Sequence, residues 1–179
     1  PRDTLLNFYA VMADVGLLID DVTETHLKDP GLFWDRQTLT EMEEAEGLFD
    51  AAVAALDGSS FPLGVRSYLK DEAAIQLKQA LDFIFSNSRQ IISIPDASAM
   101  KALNEERSKQ TPSWTLPGSS IELSSEIADN PINSNFYFSA STVANAANIY
   151  AQVQEQGQSL EDQRFATNTF YQDFIHTPG

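Results

Sequence analysis

Residues 73–84 carry the pattern that decides the fold, and they read Ala73-Ala74-Ile75-Gln76-Leu77-Lys78-Gln79-Ala80-Leu81-Asp82-Phe83-Ile84. Four apolar side chains recur there at spacings of three and four residues and so share one face of a helix: Ala74, Leu77, Leu81 and Ile84. We expect this helix to span residues 65–86 and to keep its charged side chains in water: Lys70, Asp71, Lys78 and Asp82.

Two helices are predicted before this one. The first has an apolar face that ends where the period breaks, over residues 20–36: Leu5, Phe8, Met12, Val15 and Ile19. At the start of the second, Thr38 and Glu41 have the spacing of a capping box, in which each side chain satisfies a backbone amide. We expect this helix to end at Gly58 and to bury Leu39, Met42, Leu48, Ala52 and Leu56.

The character of the chain changes in its second half. Ile91, Ile92 and Ile94 form a short β-like run, and the polar residues 101–112 are predicted to be a mobile loop or a subdomain border. The alternating stretch 114–123 and the run 136–138 predict a small antiparallel β-hairpin or three short strands. A last helix is expected from Ser141 and Thr142 to Gly157, with Val143, Ala147, Tyr150 and Val153 on one face.

These elements predict a mainly helical α+β fold, a helical bundle with a small antiparallel β-hairpin. The length of 179 residues suits a single soluble domain. We expect a helical part over about residues 1–95 and a part with the hairpin and a helix over about residues 113–179, joined by the polar loop 101–112.

The charge balance limits the partners that the chain can have. Asp and Glu number 26 against 11 Lys and Arg, which gives a formal net charge of -15. Such a surface repels nucleic-acid phosphates and anionic lipid headgroups, so neither is expected as a partner, and the isolated chain is expected to be monomeric. The absence of cysteine excludes disulfides and thiolate metal sites. No apolar run approaches the length of about 20 residues that spans a bilayer.

Few residues suggest chemistry. The two histidines, His26 and His176, are far apart in the sequence. His26 near Asp29 could form part of a hydrolytic site, and Asp20, Asp21 and Glu24 could bind calcium weakly, but we favour solvated side chains for both groups. No catalytic residue, metal site or cofactor is predicted, and an enzyme is not expected. A group of aromatic residues could line a ligand pocket or simply pack in the core: Trp114, Phe136, Tyr137 and Phe138.

Five blocks of the sequence resemble, in the same order, an N-terminal region found in bacterial small-conductance-type mechanosensitive channels. The first is Pro1-Arg2-Asp3-Thr4-Leu5 with Phe8 and Met12, and the second is the helix of residues 73–84, similar to "aa-x-x-LK-x-x-LD-x-I". The third is Ile94-Pro95-Asp96. The last two are Trp114-Thr115-Leu116-Pro117-Gly118-Ser119-Ser120-Ile121 and Phe136-Tyr137-Phe138-Ser139-Ala140-Ser141-Thr142-Val143. The chain's end resembles the point just before the first membrane helix, whereas residues 13–60 match poorly.

This resemblance implies a periplasmic accessory domain of a channel that releases solutes during hypo-osmotic shock. The domain would not form the pore, and its partners would be the rest of the channel and the neighbouring subunits. The resemblance implies no active-site residue. Two alternatives remain open: a periplasmic small-ligand-binding or protein-interaction module that uses the aromatic cluster, and a hydrolase that uses His26.

Overall fold

A computed structural model describes residues 1–28, 34–88, 92–106, 112–125 and 135–158. Within these ranges the chain forms six α-helices, one short 3-10 helix (Leu63–Val65) and three strands. The helices are α1 (Arg2–Lys28), α2 (Arg36–Val53), α3 (Arg66–Asn87), α4 (Ala97–Glu106), α5 (Ala140–Ala144) and α6 (Ala146–Gln158). The strands are β1 (Ser113–Thr115), β2 (Glu122–Ser125) and β3 (Phe136–Phe138). The prediction of a mainly helical α+β fold with a small antiparallel sheet is confirmed.

Helix α1 is longer than predicted. Leu5, Phe8, Met12 and Val15 are buried as expected, but the helix continues to Lys28 instead of breaking at residue 20. Val22 lies seven residues after Val15, which is about two helical turns, and is 5 % exposed. The apolar face therefore extends past the point where the sequence period weakens, and α1 packs against α2 along it.

Helix α2 begins three residues earlier than the capping-box prediction, which was wrong. The N-cap is Asp35, whose Oδ1 accepts a hydrogen bond of 2.7 Å from the backbone N–H of Thr38. Leu39 is 49 % exposed and does not belong to the buried stripe, which contains Thr38, Ala45, Phe49, Ala52 and Val53. The spacing of Thr38 and Glu41 also occurs inside helices and is therefore not specific for an N-terminus. Here the carboxylate of Asp35 is the N-cap instead.

Helix α3 (Arg66–Asn87) lies within one residue of its predicted bounds, 65–86, but its surroundings differ from the prediction. Every residue from 73 to 81 is buried, on all sides of the helix, because α1, α2, α5 and α6 all contact it. Lys78 was expected in water and is only 8 % exposed. The buried part of the helix therefore includes polar residues, and these need partners within the protein.

The segment after α3 corrects two predictions. Ile92 and Ile94 are partly buried against the core but belong to no strand, and Ile91 lies outside the described residues. The predicted loop 101–112 is helical up to Glu106, because α4 covers residues 97–106. Asp96 acts as the N-cap of α4, because its Oδ1 accepts a hydrogen bond of 2.9 Å from the backbone N–H of Ala99. Residues 107–111 lie outside the described residues.

The three strands form one antiparallel sheet in the order β1-β2-β3. Leu116, Pro117, Gly118 and Ser119 form a turn between β1 and β2, with a 3.1 Å hydrogen bond from Ser119 N–H to the carbonyl of Leu116. Gly118 has φ of +77°, as position three of a type II turn requires. The Pro-Gly pair therefore closes this hairpin.

The last described helices follow the sheet directly. Ser139, rather than Ser141 or Thr142, is the N-cap of α5, because its side chain accepts a hydrogen bond from Thr142 N–H. In α6 the buried side chains are Ala146 and Ile149, whereas Ala147 is exposed, contrary to the prediction. The predicted end at Gly157 lies within one residue of the observed end, Gln158.

A single hydrophobic cluster includes residues from both of the predicted parts. Phe8, Leu77 and Leu81 come from the helical part, and Leu116 and Phe138 come from the sheet. All five side chains are at most 1 % exposed. The sheet therefore completes the core of the helices instead of forming a core of its own.

Candidate functional site

The predicted aromatic cluster is divided by the pleat of the sheet. Cross-strand pairing places Trp114, Leu123 and Phe138 in one row, so their side chains share one face. Phe138 is fully buried, and Phe136 is 8 % exposed on the same face. Tyr137 lies between them in β3 and therefore points to the opposite face. Three of the four aromatic residues face the core, and Tyr137 alone is directed elsewhere.

Tyr137 lines an open groove of about 300 Å³ on the surface of the protein. The other walls come from the segment that follows α2 and from the first turns of α3, and the lining residues there are Ala54, Leu56, Asp57, Gly58, Ser59, Arg66 and Lys70. The segment after α2 is attached to β3, because Phe138 N–H donates to Ala55 O at 2.9 Å and Asp57 N–H donates to Phe138 O at 3.0 Å. The three walls are thus joined by backbone hydrogen bonds and the core.

The groove holds three charged side chains in defined positions. Arg66 donates from Nε and Nη2 to the carbonyl of Phe61, at 3.3 and 3.0 Å. The stem of Lys70 lies against Gly58, where a Cβ would be 2.6 Å from Lys70 Cδ. Asp57 accepts a hydrogen bond of 2.9 Å from Ser59 N–H. The sequence prediction placed none of these three charged residues in a site and named Lys70 only as a solvated side chain, although the spacing of Arg66 and Lys70 places both on one helix face.

A second polar site lies between α1 and α3. Lys78 Nζ is 2.6 Å from Asp82 Oδ1 and 4.5 Å from the centroid of the Tyr9 ring. Burial, together with a hydrogen bond to Asp82, raises the pKa of the Tyr9 hydroxyl to about 12. The two charged residues of the "LK-x-x-LD" block therefore form a largely buried ion pair beneath an aromatic ring, with roles in packing and charge compensation.

The block at residues 136–143 forms a third polar site, at the junction of β2 and α5. Thr142 Oγ1 accepts a hydrogen bond of 2.9 Å from Glu122 N–H and donates one of 3.2 Å to Glu122 O. Ser139 Oγ caps the helix and donates to Thr142 Oγ1 at 3.1 Å. The hydroxyls of Ser139 and Thr142 are thus occupied by the backbone of β2 and the N-terminus of α5, where they fix the sheet to the helices.

The first block of the resemblance, which begins at Pro1, contacts both the last block (residues 136–143) and the third block (residues 94–96). Thr4 Oγ1 donates a hydrogen bond of 2.9 Å to Phe136 O, 132 residues away. Arg2 N–H donates to Pro95 O at 3.3 Å, beside the Asp96 that begins α4. The five blocks singled out by the resemblance therefore supply contacts of one core: caps, a turn, an ion pair and buried apolar side chains.

The remaining candidates from the sequence form no reactive site among the described residues. His26 stacks on Trp34, with ring centroids 4.8 Å apart and planes inclined by 6°. Asp29 and His176 lie outside the described residues. Glu24 forms an exposed ion pair with Lys28, and in the described part of the chain no three His, Asp or Glu residues are grouped to hold a metal ion. None of the helices in that part has the length and apolar character needed to cross a membrane.

Comparison with known proteins finds no match to a protein family, to a curated protein or to a solved structure.

Proposed function

We propose that this chain is a periplasmic accessory domain of a bacterial small-conductance-type mechanosensitive channel, and that it neither conducts nor catalyses. The proposal rests on one observation. The five blocks that carry the resemblance, which follow one another in the same order as in those channels, pack together in one core. Thr4 of the first block bonds to Phe136 of the last, and Phe8 packs on Phe138. Residues that are far apart in the sequence thus share one packing unit.

The roles of these residues favour a positional function over a chemical one. Four hydroxyl and charged residues of the last and second blocks are each engaged in a cap, a strand contact or an ion pair: Ser139, Thr142, Lys78 and Asp82. An enzyme needs such groups directed at a substrate. A domain that works through its position on a channel needs a stable core and an outer surface.

The outer surface offers a physical means to influence gating. Glu43, Glu44 and Glu46 are exposed on α2, in a chain with a formal net charge of -15. Copies of the domain held side by side in a channel would repel one another. The Debye length grows from about 10 Å at 0.1 M salt to about 30 Å at 0.01 M, so dilution of the external medium strengthens that repulsion. Membrane tension favours the state of larger area, and repulsion between neighbours would favour the same state.

The proposal is tested on the full-length protein in bacterial cells that lack their own mechanosensitive channels. We expect the full-length protein to increase survival after a sudden dilution of the medium, and a form without residues 1–179 to protect to a different extent. A full-length protein with no membrane helices outside residues 1–179, or one that gives no protection although it reaches the inner membrane, would contradict the proposal.

The alternative of a small-ligand-binding module is favoured by one observation, the groove at Tyr137.

A further inference from the structure

The groove at Tyr137 combines opposite charges with an aromatic wall. Arg66 and Lys70 are four residues apart on α3 and both line it, while Asp57 lies in the wall formed by the segment after α2. Tyr137 adds a half-buried ring and a hydroxyl from β3. Two cations and one carboxylate therefore line the same small concave space.

The side chains of Arg66 and Lys70 are held in place, and neighbouring carboxylates among the described residues do not neutralise them. Lys28 and Lys78 form ion pairs with Glu24 and Asp82, whereas neither Arg66 nor Lys70 forms an ion pair with any described residue. The guanidinium of Arg66 donates from Nε and Nη2 to Phe61 O. These two hydrogen bonds fix the plane of the guanidinium and leave Nη1 available to donate to a ligand. In a chain with a net charge of -15, two such cations in one groove are a local exception.

Gly58 allows Lys70 to lie where it does. A Cβ at residue 58 would be 2.6 Å from Lys70 Cδ, 2.8 Å from Lys70 Cγ and 3.3 Å from Arg66 Cγ. Any side chain at this position would push the stem of Lys70 away. The close approach restricts the positions that the ammonium group can reach, and so reduces the entropy lost when it binds an anion.

We propose that this groove binds a small zwitterion with a carboxylate and an ammonium group, the chemistry of a free α-amino acid. The carboxylate lies towards Arg66 and Lys70, and the ammonium lies towards Asp57 and the Tyr137 ring. The volume of about 300 Å³ is at the lower end of ligand pockets, which favours a ligand of this size. The inference concerns the isolated chain and does not depend on the proposed channel.

The test is a titration of the isotopically labelled 179-residue chain with L-alanine, followed by the backbone amide NMR signals of Gly58, Ser59 and Lys70. We expect saturable shifts at these residues. Acetate, which has only the carboxylate, and methylammonium, which has only the cation, should each bind at least about fivefold more weakly, because each loses one charge-assisted contact.

The variant Lys70→Met keeps most of the stem over Gly58 and removes the charge, and we expect it to weaken L-alanine binding by about tenfold or more. Lys101→Met, which removes an exposed lysine of α4 outside the groove, is the matched control and should bind as the native chain does. Circular dichroism establishes that both variants are folded. The proposal is overturned if L-alanine gives no saturable shifts at the groove, if acetate binds as tightly as L-alanine, or if both variants bind equally.

Discussion

The ring of Phe8 in α1 lies edge-on to the ring of Phe138 in β3, with centroids 4.8 Å apart and planes inclined by 65°. Phe8 is 1 % exposed and Phe138 is fully buried. The pair joins α1 to β3, and Thr4 O–H, one turn before Phe8, donates to Phe136 O beside it. This contact connects the two ends of the motif series and makes the sheet part of the helical core.

Removal of the Phe138 ring should destabilise the folded state strongly. We expect Phe138→Ala to lower the free energy of unfolding by about 3–5 kcal/mol, because a large buried ring leaves a cavity. Leu17→Ala is the matched control, since Leu17 is 68 % exposed on α1 and its removal should change stability little. Urea denaturation measures both. An equally small effect of the two substitutions would contradict the central place of Phe138 in the core.

The hydroxyl of Thr142 should stabilise the junction between β2 and α5. Thr142→Val keeps the shape of the side chain but removes the acceptor of Glu122 N–H, and we expect a loss of about 1–3 kcal/mol. The carbonyl of Glu122 loses the Thr142 donor but keeps the 2.9 Å hydrogen bond from Ser139 N–H. Thr115→Val, at an exposed position of β1, makes the same chemical change without that consequence. Thermal or urea unfolding distinguishes the two, and a neutral Thr142→Val would show that the two hydrogen bonds contribute nothing net.

The ion pair of Lys78 and Asp82 should show strong coupling. Either Lys78→Met or Asp82→Leu leaves one largely buried charge uncompensated, and each single change should cost about 3 kcal/mol or more. The double variant should be more stable than either single one, because it leaves no charge behind. For comparison, Lys28→Met removes one partner of an exposed pair and should leave the unfolding midpoint unchanged. Additive effects at Lys78 and Asp82 would contradict the account.

The ionisation of Tyr9 should weaken the fold at high pH. Its pKa is raised from 10.0 to about 12 by burial and by the hydrogen bond to Asp82, so the neutral phenol is favoured in the folded state. The resulting stabilisation is fully present below pH 10 and is lost as the pH rises from 10 towards 12, because the unfolded state ionises first. Unfolding measured across this window should depend less on pH in Tyr9→Phe than in the native chain. Identical profiles would exclude this role of Tyr9.

The acidic face of α2 should make gating depend on external salt. For the proposed full-length channel we expect the tension threshold to fall when external ionic strength is lowered at constant osmolarity. Charge removal should reduce that dependence, as in a variant with Glu43→Gln, Glu44→Gln and Glu46→Gln. Patch-clamp recordings with sucrose as the compensating solute measure the threshold. The same salt dependence in both proteins would rule out repulsion between these faces.

The sequence was sufficient to predict elements whose signals are local. Helix α3 follows from apolar residues at helical spacing, and the Pro117-Gly118 pair indicates the turn between β1 and β2. The start of α2 was misplaced because the spacing of Thr38 and Glu41 does not reveal that Asp35 is the better-placed acceptor. The burial of Lys78 depends on Asp82 and Tyr9 together, which a single-helix pattern does not show.

The groove was beyond sequence prediction for a related reason. Its walls come from three segments that are brought together by the pairing of residues 55–57 with Phe138. The aromatic cluster was predicted as a group, but the strand alternation that separates Tyr137 from Phe136 and Phe138 becomes decisive only when one face of the sheet meets the core. Contacts between distant segments therefore determine which aromatic residue can meet a ligand.

The most direct test of the central claim is a patch-clamp recording of the full-length protein, with and without residues 1–179, in membranes that contain no other mechanosensitive channel. We predict tension-activated currents from both proteins, with equal single-channel conductance, because the proposed accessory domain would form no part of the pore. The tension threshold should differ between them, because the proposed role of the domain is to bias gating. The absence of any tension-activated current from the correctly inserted full-length protein would contradict the account, and so would thresholds that are identical with and without the domain.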